Sequence, residues 1–253
     1  LATFDDQSTA TLSENEVLNI ISNNTLDDHR VVYIPVVVNK SKIINNDFKE
    51  ISVDEIKIRM SKGMSVKYDL TKKRLVFYQT NPTDWALIHD SYLNGWAISL
   101  NGLVLDNTTP TEYQRFNAQG LTGCITIYNS KLIDTSLSVT NGQCEDSLNF
   151  VSTSGSKITI SIQNSYADAV DADFSFLDIE YLDVLKAGND CFDVSGGKYI
   201  VGISKLKGCV DKGISVGEKS YFEGEKISLE NTSIGISVKD FSHAVVKHLN
   251  VKD

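Results

Sequence analysis

The sequence predicts an all-β chain wound as a parallel β-helix, a solenoid of about 22 residues per coil, with an irregular N-terminal β part and one short helix. Three observations carry this reading. Asn149, Asp171, Asp193, Ser215 and Ser237 stand 22 residues apart, within matching surroundings: EDSLNFV, SDAVDADFS, NDCFDVSGG, DKGISVGEK and SIGISVKDF. Each later repeat carries two apolar segments, one around that rung and one mid-repeat, as in Ile158–Ile162, Leu177–Leu182, Tyr199–Ile203, Lys226–Leu229 and Val245–Leu249. Their alternation turns one side of each strand inward. The LxxLxLxxN pattern of leucine-rich repeats is absent, and so is the 3.6-residue apolar spacing that helical repeats need.

In chain order, residues 1–30 read differently from the rest. Ser13-Glu14-Asn15-Glu16 is a capping box, and Val17, Leu18, Ile20 and Ile21 follow as the apolar face of one short helix. Asn24 to Asp28 reads as loop. From residue 31 the runs VVYIPVVV, VDEIKIRM, MSVKYDL and RLVFYQT are β-rich, with turn residues between them. Gly95 to Leu100 then leads into LTGCITIYNS, and the period holds from about residue 120 to the end. No Pro/Ser-rich linker interrupts it, so 31–253 reads as one solenoid with irregular early coils.

The 253 residues can bury a substantial core. A net charge of −9 argues against nucleic acid or an anionic membrane as partner, and no run approaches the ~18–20 apolar residues of a membrane span. The chain opens without Met or an apolar leader, as a processed or trimmed chain would. Cys124, Cys144, Cys191 and Cys209 form no CxxC or CxH cluster, so a zinc site is not expected. They form two local pairs on neighbouring coils; disulfides Cys124–Cys144 and Cys191–Cys209 are one reading, suited to an exported chain, and buried free thiols are the other.

The succession SDAVDADFS, GNDCFDVSGG, VDKGISVGEKS and IGISVKDFS resembles a family of bacterial right-handed β-helix repeat domains, found beside spore-coat-kinase-like and lamin-tail modules. The resemblance covers about residues 95–253, is most specific at Asp211 to Glu218, and implies a right-handed coil and a surface or exported setting. A weaker likeness is to polygalacturonase-type glycosidases. Asp168 falls at the aspartate of their NTD segment and Asp190 at the second position of DDC. Lys212 to Gly217 falls on their GHG coil, and Lys239 on the basic residue beyond it. Asn189 and Lys212 depart from that pattern, standing where it has aspartate and histidine.

The rungs are polar and mostly acidic, so they nominate a functional face. Stacking at about 4.8 Å sets Asp168 over Asp190 and Asp171 over Asp193. Like charges at that spacing raise one pKa or attract a cation. The expected catalytic set is therefore Asp168 and Asp190 as an acid/base pair with Lys212 as base, suited to hydrolase, lyase or epimerase chemistry on a sugar. Asp171, Asp193, Asp211 and Glu218 are expected ligand-binding carboxylates, joined by Lys239 and His243. No cofactor is expected beyond a divalent cation, such as calcium, at the acidic rungs. The competing reading is structural: corner Asp residues accept backbone N–H groups, and nearby lysines neutralise them. Trp85, His89, Tyr92, Trp96, Tyr113 and Arg115 could line a glycan groove; alternatively, Trp96 and Phe116 pack under loops. The expectation is an extracytoplasmic domain that binds or processes a linear polysaccharide, against the alternative of a structural or adhesive module.

Overall fold

The computed structural model describes residues 48–104, 115–117 and 120–252. They belong to the second of two units, Asn46–Asp253. The expected N-terminal helix, the run VVYIPVVV and Tyr113 lie outside the described residues.

Every regular element among the described residues is a strand. The early ones are β1 (Phe48–Val53), β2 (Ile56–Ser61), β3 (Ser65–Asp69), β4 (Arg74–Tyr78), β5 (Ala86–His89), β6 (Tyr92–Asn94) and β7 (Ala97–Asn101). The coiled part follows as β8 (Gly123–Tyr128), β9 (Lys131–Thr140), β10 (Asp146–Val151), β11 (Ser154–Ser165), β12 (Asp168–Asp173) and β13 (Phe176–Ala187). It ends with β14 (Phe192–Ser195), β15 (Lys198–Gly217), β16 (Tyr221–Val238) and β17 (His243–Lys252).

Two hairpins open the fold. β1 pairs antiparallel with β2, and β3 with β4. Their short connections suffice because antiparallel neighbours need only a tight turn, whereas parallel neighbours need a long crossover. β2 then lies antiparallel on β5, and from there pairing is parallel: β4 with β7, β5 with β8, β6 and β7 with β9.

The rest is a β-solenoid. One face stacks β8, β10, β12, β14 and the C-terminal ends of β15 and β16. The next stacks β9, β11, β13, the first parts of β15 and β16, and β17. The predicted ladder holds rung for rung: Asn149 pairs with Asp171, Asp171 with Asp193, Asp193 with Ser215, and Ser215 with Ser237. It extends upstream to Thr126 and Leu87.

Residues flanking the rungs from Thr126 to Ser215 point inward. Ile125 and Ile127, Leu148 and Phe150, Val170 and Ala172, Phe192 and Val194, and Ile214 and Val216 are all buried in one continuous core. Stacking like positions keeps apolar atoms in contact from coil to coil, which is how a thin solenoid removes enough surface from water.

Two polar corners bracket the rung face. After it, a side-chain hydroxyl caps a backbone N–H of the preceding coil: Ser130 Oγ accepts from Ser91, Ser175 Oγ from Thr153, Ser220 Oγ from Gly197, and Ser242 Oγ from Ser220. In the coil that has Gly197 at this corner, the Tyr199 hydroxyl accepts the Ser175 N–H at 3.3 Å instead. Just before that corner, Asn129, Ser152, Phe174, Gly196, Glu218 and Asp240 all adopt positive φ, so this turn is left-handed in each of these coils. Before the rung face lies a carboxylate corner formed by Asp168 and Asp190.

Candidate functional site

The rung residues alternate with core residues and therefore face outward. Over them lies a groove of about 440 Å³. Asn149, Asp171 and Asp193 line it from the rungs, with Val151, Asp173 and Ser195 two residues further along the same strands. Glu218, Lys239 and Asp240 close one end, and Arg115, Phe116 and residues 120–122 form a wall. The groove crosses several coils, so successive positions along it repeat at about the strand spacing of 4.8 Å.

Four expected ligand-binding residues come together here: Asp171, Asp193, Glu218 and Lys239. The expected catalytic set does not line the groove. Asp168 Oδ1 accepts the Asp190 N–H and an Asn189 Nδ2–H, each at 2.7 Å, and Asp190 Oδ1 accepts the Lys212 N–H at 2.9 Å. Lys212 Nζ sits between Asp211 and Asp190, 3.4 Å from the latter. These residues hold a corner of the coil, each carboxylate capping the next turn. Asp211 belongs with them, and the exposed His243 opens β17 beyond the hydroxyl corner, donating its N–H to Ser220.

Burial dominates the electrostatics. It pushes the Asp171 carboxyl up to about 10, aided by Asp146, Asp173, Asp193 and Asp168, so Asp171 is protonated at neutral pH. Asp146 rises to about 8 and Asp168 to about 6, again chiefly through burial. Asp173 rises through burial and the neighbouring Glu218 carboxylate, and Asp190 rises through burial despite Lys212. The floor is thus a bank of carboxyl groups that cannot all ionise together. Among the described residues, no three His, Cys, Asp or Glu side chains converge as metal ligands.

Asn149 is 1% exposed. Its Nδ2 donates to Asp171 Oδ2 at 3.0 Å, while its Oδ1 has no hydrogen-bond partner. Asp193 Oδ1 is also buried and unpartnered.

Of the aromatic set, Trp85 and Trp96 are buried, as is His89, and Tyr92 is exposed. Phe116, one of the residues that could have packed under a loop, is 56% exposed on the groove wall beside the Arg115 guanidinium, whose Nε lies 3.3 Å from Glu145. Arg115, one of the residues expected to line a groove, stands on this wall, whereas the part played by Gly120, Leu121 and Thr122 was not readable, because they lie in the turn just ahead of β8. Ser195 was also missed, since a single serine in a turn-rich stretch carries no signal.

Both cysteine pairs are disulfides, Cys124–Cys144 and Cys191–Cys209, with Cα separations of 5.3 and 5.5 Å. This is compatible with an oxidising, extracytoplasmic setting. No helix among the described residues is long and apolar enough to cross a membrane. Comparison with protein-family models, with curated proteins and with solved structures finds no match.

Proposed function

We propose that this chain is an extracytoplasmic glycan-binding β-solenoid that holds a linear polysaccharide in the groove over its rungs. One observation carries the reading: a groove crosses several coils and combines carboxyl groups, an amide, a serine and an exposed phenylalanine ring. Sugar hydroxyls are bound by carboxylates and amides, and the apolar face of a pyranose packs on an aromatic ring. A regular row of coils suits a polymer that presents the same groups at regular intervals. The two disulfides support the location.

Binding is favoured over processing, because the acid/base set expected from sequence is engaged in corner hydrogen bonds. A purely structural module is the second reading. It draws support from the ion-paired outer face, where Lys247 sits between Glu223 and Glu225, and Lys207 meets Glu230 at 2.5 Å.

A glycan array, with reducing and unsaturated sugar measured on every hit, tests these readings together. Binding without product is the expected result. Product release would make the domain an enzyme, and an empty array would leave the structural module.

A further inference from the structure

We infer that the groove selects a glycan bearing free primary amines, a polymer of glucosamine type, over neutral or uronate-containing chains. The inference rests on the glycan reading above and names its substrate class.

Charge gives the first argument. Five carboxyl groups line the groove; Asp171 keeps its proton, which leaves Asp173, Asp193, Glu218 and Asp240 to set against two cationic side chains, Lys239 and Arg115. Arg115 is already directed to Glu145. A uronate chain would bring further negative charge into this field, at a cost.

Unsatisfied hydrogen bonding gives the second, independent argument. Asn149 is almost wholly buried; its Nδ2 donates to Asp171, while no donor reaches its Oδ1, which stands as a free acceptor. Asp193 Oδ1 is a second free acceptor. A buried acceptor without a donor costs about 1–3 kcal/mol. The ligand that best relieves this brings several donors and no new acceptor charge. An ammonium brings three N–H donors and a positive charge, a hydroxyl brings one donor, and a carboxylate brings none. The exposed ring of Phe116 on the same wall provides a surface for the pyranose that carries the amine. Acetylating the amine would remove the charge and leave one N–H, so the acetylated chain should lose most of the advantage.

Titration calorimetry on the whole chain tests this with a glucosamine hexasaccharide, its fully N-acetylated form, an oligogalacturonate and spermine, at a mildly acidic pH where the amines are charged. The glucosamine hexasaccharide should bind at least about tenfold more tightly than the other three, as expected for a charge-assisted hydrogen bond. Asp193→Asn should lose about tenfold of that preference. Glu218→Gln, in an accessible turn, should weaken it in the same direction and serves if the first variant does not fold. Equal or tighter binding of the acetylated chain or the oligogalacturonate would overturn the amine inference while leaving the glycan reading intact. Spermine binding as tightly as the hexasaccharide would show a bare ammonium site and overturn it too. Failure of every saccharide would remove the glycan reading itself.

Discussion

The Tyr199 hydroxyl occupies the space that a side chain on Gly197 would need: a Cβ built on Gly197 would lie 2.6 Å from that oxygen. Neighbouring coils fill this corner with a serine, as at Ser175 and Ser220, each capping an N–H of the coil before. Here the backbone stays bare and the tyrosine two residues on supplies the hydroxyl. It accepts from the Ser175 N–H and lies 2.7 Å from the Ala172 carbonyl and 2.9 Å from that of Ser195. The ring also meets Phe192 edge-on at 6.3 Å, so one side chain joins the hydroxyl corner to the apolar core.

Tyr199→Phe keeps that ring packing and removes only the hydroxyl. The Ser175 N–H then loses its acceptor and the carbonyl that takes the single O–H loses its donor, so the variant should be destabilised by about 1–3 kcal/mol in chemical denaturation. Adding Gly197→Ser should not repair it, because the Ser175 carbonyl would lie 2.1 Å from the new Cβ. An unchanged midpoint in Tyr199→Phe would show that water replaces the hydroxyl at no cost.

Stability should fall as pH rises across the neutral range. Asp171 faces Asp146 on β10, Asp168 and Asp173 on β12, and Asp193 on β14, and burial holds its proton up to about pH 10. The unfolded chain releases that proton near the ordinary value of 3.8. Between these limits the folded state binds more protons than the unfolded state, so each rise in pH favours unfolding. This contribution is fully present below about pH 3.8 and lost as pH climbs through the folded value. Asp146 and Asp168, raised to about 8 and 6, act in the same direction over narrower windows. Thermal midpoints measured from pH 5 to 9 should therefore fall, and Asp171→Asn should flatten the decline and be the more stable form at the alkaline end. A wild-type midpoint that rises over this range would show that these carboxyls ionise freely.

The Cys191–Cys209 disulfide closes an 18-residue separation between two buried positions. Replacing both with alanine should cost about 2–4 kcal/mol, mainly by freeing the unfolded chain. Denaturation midpoints of the variant and the wild type, without reductant, measure this. A loss below about 1 kcal/mol would mean that stacking alone sets the ends of this coil.

The rungs were legible because one residue class recurs at a constant step from Asn149 to Ser237, and parallel stacking turns equal steps into contacts. Upstream the same row passes through Thr126 and Leu87, but 39 residues separate these two, so the period breaks although the pairing does not. The hydroxyl corner was obscured for a different reason. Ser, Gly with a displaced Tyr, and Ser again perform one task, and no single-letter pattern expresses that substitution. The acidic corner and the acidic groove were harder still to tell apart. Asp168 and Asp171 stand on the same strand, three residues apart, so the pleat turns them to opposite faces, Asp168 to the corner and Asp171 to the groove. Spacing predicts neighbours, whereas the role of a carboxylate depends on whether a backbone N–H or open space lies in front of it.

The left-handed turn beside the groove gives the last prediction. Asn129, Ser152, Phe174, Gly196, Glu218 and Asp240 share positive φ, and phenylalanine is the member least suited to it, at φ 49°. The left-handed region costs an ordinary residue about 1–2 kcal/mol, and less for glycine or asparagine. The ring is 59% exposed and lies over Gly196, where a Cβ would come within 2.6 Å of it, so its packing return is limited. Phe174→Asn should therefore stabilise the fold by roughly 1 kcal/mol, with its N–H still donated to the Ser195 carbonyl. Gly196→Ala, with φ at 63° and the ring in the way, should destabilise by at least as much. The two variants share one turn geometry and differ in which residue bears its strain, so paired urea titrations separate backbone from packing. A loss of stability in Phe174→Asn would mean that the contact of its ring with the glycine outweighs the backbone cost.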